Sequence, residues 1–416
     1  MAIPYLKQET GGDSKRACTD ARDREFAAIS NIDARRKAYP RVSIFRDFAE
    51  DRRTSMDIYA DGLAGALRDF AGSRFEVCEQ LPRPLKFVPG KTGSLRMRIS
   101  RNLYYPWFAR RHRGDVNHIV DHGYAHLLQT LDPNRTVVTV HDLIPLLSWK
   151  GCLPGPTRYP HRPVLFERAL GYVRRAGCVV ADSESTRKDL VEHCGCEAGR
   201  IRVAYPGVPS WCRVYSAAER REARRNFGLP DFETRLILIT GSELQWYKNH
   251  PTCIRVLARL VESCPWPVKM VRTGGVSREW LQLLAETGMQ PHFVQIPRLD
   301  RHTAMADIYN SVDCLLFPSW YEGFGWPPLE AMACGVPVIT SNAASLPEIV
   351  GDAGLMCAPD DIEELTKGVF SLLRRDGLNE RFTEAGLKRA ARFTWRVYAE
   401  QICQIYDSLI GGASCC

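Results

Sequence analysis

Long apolar runs are missing from this 416-residue chain. No stretch approaches the ~20 apolar residues that a membrane-spanning helix requires. The opening MAIPYLKQETGGDSKR also lacks the apolar core of a secretion signal. Metal-binding spacings are scarce as well. The 15 cysteines include no Cys-x-x-Cys pair, so a zinc site is not expected. No convincing Asp-x-Asp is present to hold a metal-bound diphosphate. Cys194-Gly-Cys196 and the terminal Cys415-Cys416 are the only close pairs, and scattered thiols without an export signal read as buried or idle. These absences predict a cytoplasmic protein with no bound metal and no resident cofactor.

What is present is a globular composition, with 45% hydrophobic and 25% charged residues. The length calls for two domains, or one large one with extensions, because single cores stop growing near about 250–300 residues. The formal charge of +8 is unevenly placed: residues 1–215 carry +11 and residues 216–416 carry −3. Residues 81–115 hold nine of the basic groups against one acid, Asp115. Within them Leu95, Ile99 and Leu103 form an apolar line among arginines, followed by Tyr104, Tyr105, Trp107 and Phe108. That pattern suits a helix lying on an anionic membrane surface, with Pro106 limiting its length. Nucleic-acid binding has only the net charge behind it and is not expected.

Residues 1–40 are polar and aperiodic and read as a mobile tail. From Arg41, short β-branched runs alternate with helical spacings, as in Val42–Phe45, Val116–Val120, Thr136–Val140 and Ala176–Ala181. After a polar connector over 210–232 the alternation restarts with Leu236–Thr240, Val268–Val271, His292–Ile296, Cys314–Phe317 and Val336–Ile339. Two such series predict an α/β fold of two doubly wound, Rossmann-like domains. Their limits are 41–212 and 233–395, joined by a linker over 213–232. A last helix and tail over 396–416 is expected to return to the first domain. Residues 360–410 read as helical throughout.

The densest signal is Phe317-Pro318-Ser319-Trp320-Tyr321-Glu322-Gly323-Phe324-Gly325-Trp326-Pro327-Pro328-Leu329-Glu330. It leaves a buried strand, turns through two glycines and enters a helix with prolines at its first positions. Such a turn lies at the carboxyl edge of a parallel sheet, where free N–H groups suit a phosphate. Glu322 and Glu330 repel a phosphate but accept hydrogen bonds from sugar or ribose hydroxyls.

With Ala331 to Val338, Leu346-Pro347-Glu348 and Gly351 to Leu355, this stretch resembles the E-x7-E signature of the retaining glycosyltransferases of family 4, glycosyl transferases group 1, which have the GT-B fold. The resemblance implies that Glu330 binds the ribose and Glu322 contacts the donor sugar. Backbone N–H groups from Phe324 to Trp326, beside Gly323 and Gly325, would then hold sugar and phosphate. It also implies metal independence and a UDP- or GDP-linked sugar as substrate.

Gly241 to Asn249 follows the strand 236–240, and Lys248 there can neutralise a departing diphosphate, with Ser242 beside it. The family usually supplies a nearby arginine; Tyr247 and Glu243 stand in its places, so Arg272 or Arg298 would have to substitute. In the first half, His141 and Asp142 end the strand Thr136–Val140 and resemble the family's His-Asp. Asp121, Gly123 and Tyr124 follow another strand end and would line the acceptor side. His118, His122 and His126 share a spacing of four, yet Gly123 and the strand at 116–120 break their common face. Many family members have a glycine pair in the first βα turn. Here Arg46 to Met56 replaces it, with Arg52, Arg53 and Ser55 as possible contacts.

The expected reaction moves mannose or a similar hexose from the nucleotide to a hydroxyl of a glycan or lipid-linked acceptor. The anomeric configuration is retained, in cell-surface polysaccharide synthesis. A sugar-nucleotide epimerase of the same architecture and a non-catalytic sugar-nucleotide sensor are the rival readings.

Overall fold

The computed structural model describes residues 39–85, 93–154, 161–241, 245–275, 277–297, 299, 304–374 and 376–412. The tail expected over 1–40 lies almost wholly outside these, as do Ser242, Arg298, Lys86, Lys91 and Cys415-Cys416.

The first sheet contains β1 (Arg41–Phe45), β2 (Glu76–Gln80), β3 (Val116–Ile119), β4 (Thr136–Val140), β5 (Cys178–Ala181) and β6 (Ile201–Val203). They lie in the order β2-β1-β3-β4-β5-β6, every pair parallel. The second contains β7 (Arg235–Ile239), β8 (Val268–Thr273), β9 (Phe293–Ile296), β10 (Cys314–Phe317), β11 (Val338–Ser341) and β12 (Leu355–Cys357). Their order is β12-β11-β10-β7-β8-β9, again all parallel. Alternate residues feed opposite faces, as the pleat requires. Val138 and Val140 of β4 enter one core, and Val137 enters the other with Val180 of β5. Leu236 and Leu238 of β7 pack opposite to Ile237 and Ile239.

The last helix, Trp395–Ile410, returns to the first sheet as expected. Thr394 caps it by accepting the Val397 N–H. Its buried face of Tyr398, Ile402, Tyr406 and Leu409 joins the core beside the helix Thr54–Ala71. Buried hydroxyls there find partners: Tyr59 meets Tyr398 and Thr139, and Tyr406 meets His118 Nδ1 at 2.6 Å. His118 is thus a neutral structural histidine, pushed by burial down to about 3.

Three expectations change. The connector at 210–232 contains the helix Ala217–Asn226, opened by a Ser216/Glu219 capping box. Its polarity was misleading because Arg224 is buried and bonds Asp313 and the Ser311 carbonyl. The stretch 360–410 is three helices, Ile362–Leu373, Leu378–Ala390 and Trp395–Ile410. In the basic segment, Pro106 does not end the helix. A wider π-turn at Ser100–Tyr104 joins Gly93–Ile99 to Tyr105–Arg111. There the proline's missing N–H and ring are accommodated.

Candidate functional site

In the second sheet the strand order reverses between β10 and β7, and open α/β sheets bind ligands at such a crevice. The loop after β7 carries Lys248 and the loop after β10 carries Glu322. Lys248 Nζ lies 2.8 Å from one oxygen of Glu322 and 3.0 Å from the other. Both side chains are over 90% buried. The ammonium also sits 4.6 Å above the Phe317 ring. Asn249 pins this loop by donating to the carbonyls of Pro318 and Pro359.

Gly325 takes φ +107° and opens the helix Trp326–Ala333 with prolines in its first turn. Ser345 Oγ donates to the carbonyls of Glu322 and Phe324, fixing the turn. Glu330, one turn into the helix, is buried and accepts the Tyr309 hydroxyl at 2.8 Å. Burial pushes its carboxyl up to about 7, against the pull of Tyr309 and Lys248. Arg272 is fully buried, and its guanidinium donates to the carbonyls of Gly275 and Gly241. It ties two strand-end loops together next to Lys248.

The same turn meets the first sheet. A Cβ on Gly323 would lie 1.8 Å from the His141 carbonyl oxygen and 3.0 Å from Asp142 Cβ, so only glycine permits the approach. Ser183 and Thr186 hydroxyls both donate to the Gly323 carbonyl, at 2.5 and 3.1 Å. The Glu348 carboxylate accepts the N–H groups of Glu184 and Ser185 and the Tyr205 hydroxyl. Trp326 stacks edge-on against Trp395.

His141 ends β4 and is held at both nitrogens. Nδ1 is 2.5 Å from Asp182, and Nε2 is 2.8 Å from the Val120 carbonyl. Burial opposes its charge, but Asp182, with Asp121 behind, pushes the imidazole up to about 9. Asp121 is buried and pairs with Arg53, and it accepts the Gly123 N–H at 2.7 Å. Asp142 accepts the Ile144 N–H. Tyr124 is buried with its hydroxyl on Asp51 and Arg101.

His141, Asp142, Glu322 and Gly323 therefore meet at one place, with Lys248 joined to Glu322. Glu330 and Arg272 flank them through the second sheet, and Asp121 and Gly123 through the first. Sequence reasoning missed Asp182, Tyr309, Ser345 and Asp47. Asp182 follows the strand next to that of His141, an adjacency that only the sheet order shows.

Comparisons with known proteins agree with this fold. The profile described as "Glycosyl transferases group 1" matches residues 221–389, and "Glycosyltransferase Family 4" matches 50–210. An Escherichia coli O-antigen chain mannosyltransferase B is 43% identical over 102 residues, 24% of this chain and 27% of that protein. The serotype-specific mannosyltransferase WbdA of Escherichia coli is 27% identical across 63% of this chain and 32% of its own. The matches thus span about a third or less of these relatives. A D-inositol 3-phosphate glycosyltransferase of Corynebacterium jeikeium is 29% identical over 68% of this chain and 69% of that one. Among solved structures, the sucrose-phosphate synthase of Thermosynechococcus elongatus superposes with TM-score 0.71 at 19% identity, covering 90% of this chain and all of that one. Anabaena HepE, solved with UDP and glucose, gives TM-score 0.68 at 17% identity, covering 89% and 100%. Two doubly wound sheets facing a cleft, the glutamate-bearing turn and both profiles agree: the chain belongs to the family 4, group 1 glycosyltransferases of the GT-B fold.

Proposed function

We propose that the protein transfers a hexose, mannose or a similar sugar, from a UDP- or GDP-linked donor to a hydroxyl of a glycan or lipid-linked acceptor, with retention, in cell-surface polysaccharide synthesis. The observation that carries this reading is the buried Lys248–Glu322 pair at the second sheet's switch point, facing His141 across the contact at Gly323. Residues 41–212 serve as the acceptor-side domain and 233–395 as the donor domain, onto which the helix Ala217–Asn226 of the expected linker packs through Arg224 and Asp313.

In this reading Glu330 accepts from the ribose, and Phe324 to Trp326 offer backbone N–H groups to sugar and phosphate. Lys248 supplies positive charge to the departing diphosphate. Arg272 belongs to the donor side. Asp142, Asp121, Gly123 and Tyr124 belong to the acceptor side. Double displacement needs a free carboxylate nucleophile at the anomeric carbon. Glu322, bound through both oxygens to an ammonium, is a poor one. A front-face path, with the departing phosphate taking the acceptor proton, fits better and rests on positioning and charge.

No described helix is long and apolar enough to cross a membrane. Leu95, Leu103 and Trp107 are nonetheless 47%, 69% and 49% exposed beside Arg98, Arg110 and Arg111, which supports peripheral attachment to an anionic surface. Incubation with labelled UDP- and GDP-hexoses followed by product analysis tests the reaction. Nucleotide release with retained product is expected, and binding without turnover contradicts it.

A further inference from the structure

The first sheet has a switch point of its own, between β1 and β3. Asp47 follows β1 and Asp121 follows β3, so both lie in the crevice where an open parallel sheet takes a ligand. The Asp47 side chain is 95% buried; in its protonated form it hydrogen-bonds the Asp121 carboxylate, and no other side chain among the described residues hydrogen-bonds its oxygens. Arg53 Nη1 stands 3.9 Å away and is engaged by Asp121, while the Arg53 side chain stays 46% exposed. His122, 91% buried, has its Nδ1 unpartnered at 3.4 Å from an Asp121 oxygen.

A buried carboxyl group whose only hydrogen bond is to another buried carboxylate recovers little of the hydration it lost. A ligand hydroxyl restores what burial removed. The cluster also borders the donor side. The His122 and His141 rings are 6.3 Å apart, and Asp142 touches Gly323.

Charge narrows the ligand. One ionised carboxylate, Asp121, faces the Arg53 guanidinium; the nearby His141 imidazolium is already paired with Asp182, and burial disfavours the charged form of His122. A phosphate entering here meets Asp121, which His122 and Arg53 keep ionised despite its burial. Burial and that same anion hold Asp47 in its protonated form, able both to donate and to accept.

We propose that Asp47, Asp121, Arg53 and His122 form a subsite for a neutral vicinal diol on the terminal sugar of the acceptor, and not for a phosphate group. This rests on the glycosyl-transfer reading above.

The test follows nucleotide release by the full chain from a panel of UDP- and GDP-hexoses, with water alone, with neutral methyl glycosides, and with inositol phosphate. Neutral glycosides are expected to accelerate release and inositol phosphate is not. Asp47→Ala is expected to raise the half-saturating glycoside concentration about tenfold or more, well beyond any change for the donor. Asp47→Asn, which keeps a donor and an acceptor, should stay close to wild type. Circular dichroism and thermal midpoints check that both variants fold. Acceleration by inositol phosphate alone, by no acceptor, or with an unchanged half-saturation in folded Asp47→Ala overturns the subsite. Absence of release from every donor overturns the glycosyl-transfer reading and this inference with it.

Discussion

Lys248 and Glu322 form a two-oxygen ion pair, at 2.8 and 3.0 Å, that joins the loops after two neighbouring strands. Removing one partner strands the other charge in the interior, at a cost of about 3–5 kcal/mol. Lys248→Ala and Glu322→Ala should each lower unfolding stability by that order in urea titrations. Each should also cut transfer about 100-fold or more. The double variant Lys248→Met/Glu322→Leu should regain stability without regaining transfer.

Gly323→Ala places a methyl group on a backbone oxygen, not on a side chain that can turn away. The contact between the sheets must therefore part. Small-angle scattering should report a larger radius of gyration, with transfer lost. An unchanged radius with full activity contradicts the close approach.

Glu330 titrates near 7 when folded, above the ordinary carboxyl value near 4.5. The folded state then binds more protons between those pH values, so this group's contribution to stability falls as pH rises through the window and levels above it. Glu330→Gln should be less pH-dependent than wild type and gain on it toward about pH 8, by ~3 kcal/mol at most. A ribose hydroxyl donates to the ionised form, so nucleotide affinity should rise from about pH 6 to about pH 8 and lose that rise in Glu330→Gln.

His141 moves the same way, over a higher pH window. Its folded value near 9 lies above the ordinary 6.5, so its stabilisation is complete below about 6.5 and is lost as pH rises through about 9. Asp182→Asn should flatten that loss and lower stability at neutral pH by about 3 kcal/mol. Thermal midpoints across pH 6 to 10 read both effects.

The exposed apolar line gives a separate expectation. Leu103→Asp/Trp107→Ser should abolish flotation with anionic vesicles at low salt while leaving the thermal midpoint near wild type. Absence of flotation by the wild-type chain ends the membrane proposal.

Much of this was legible in the sequence for a physical reason. Buried parallel strands are short β-branched runs, and β1, β4, β7 and β10 appear at nearly the expected residues. The glutamate turn was readable because glycine and proline fix its backbone. The short half-exposed β2 and the arginine-rich helix Ala217–Asn226 were not, since neither carries an apolar period. Pairings across sequence were beyond reach too. Nothing local ties Asp182 to His141 or Asp47 to Asp121; adjacency of strands does.

The most direct measurement is nucleotide release and product stereochemistry from GDP- and UDP-hexoses, for wild type, Lys248→Ala and Glu322→Ala side by side. Wild-type turnover with the anomeric configuration retained is expected, and its loss by about 100-fold in both variants at preserved fold. Turnover in the two variants equal to wild type contradicts it.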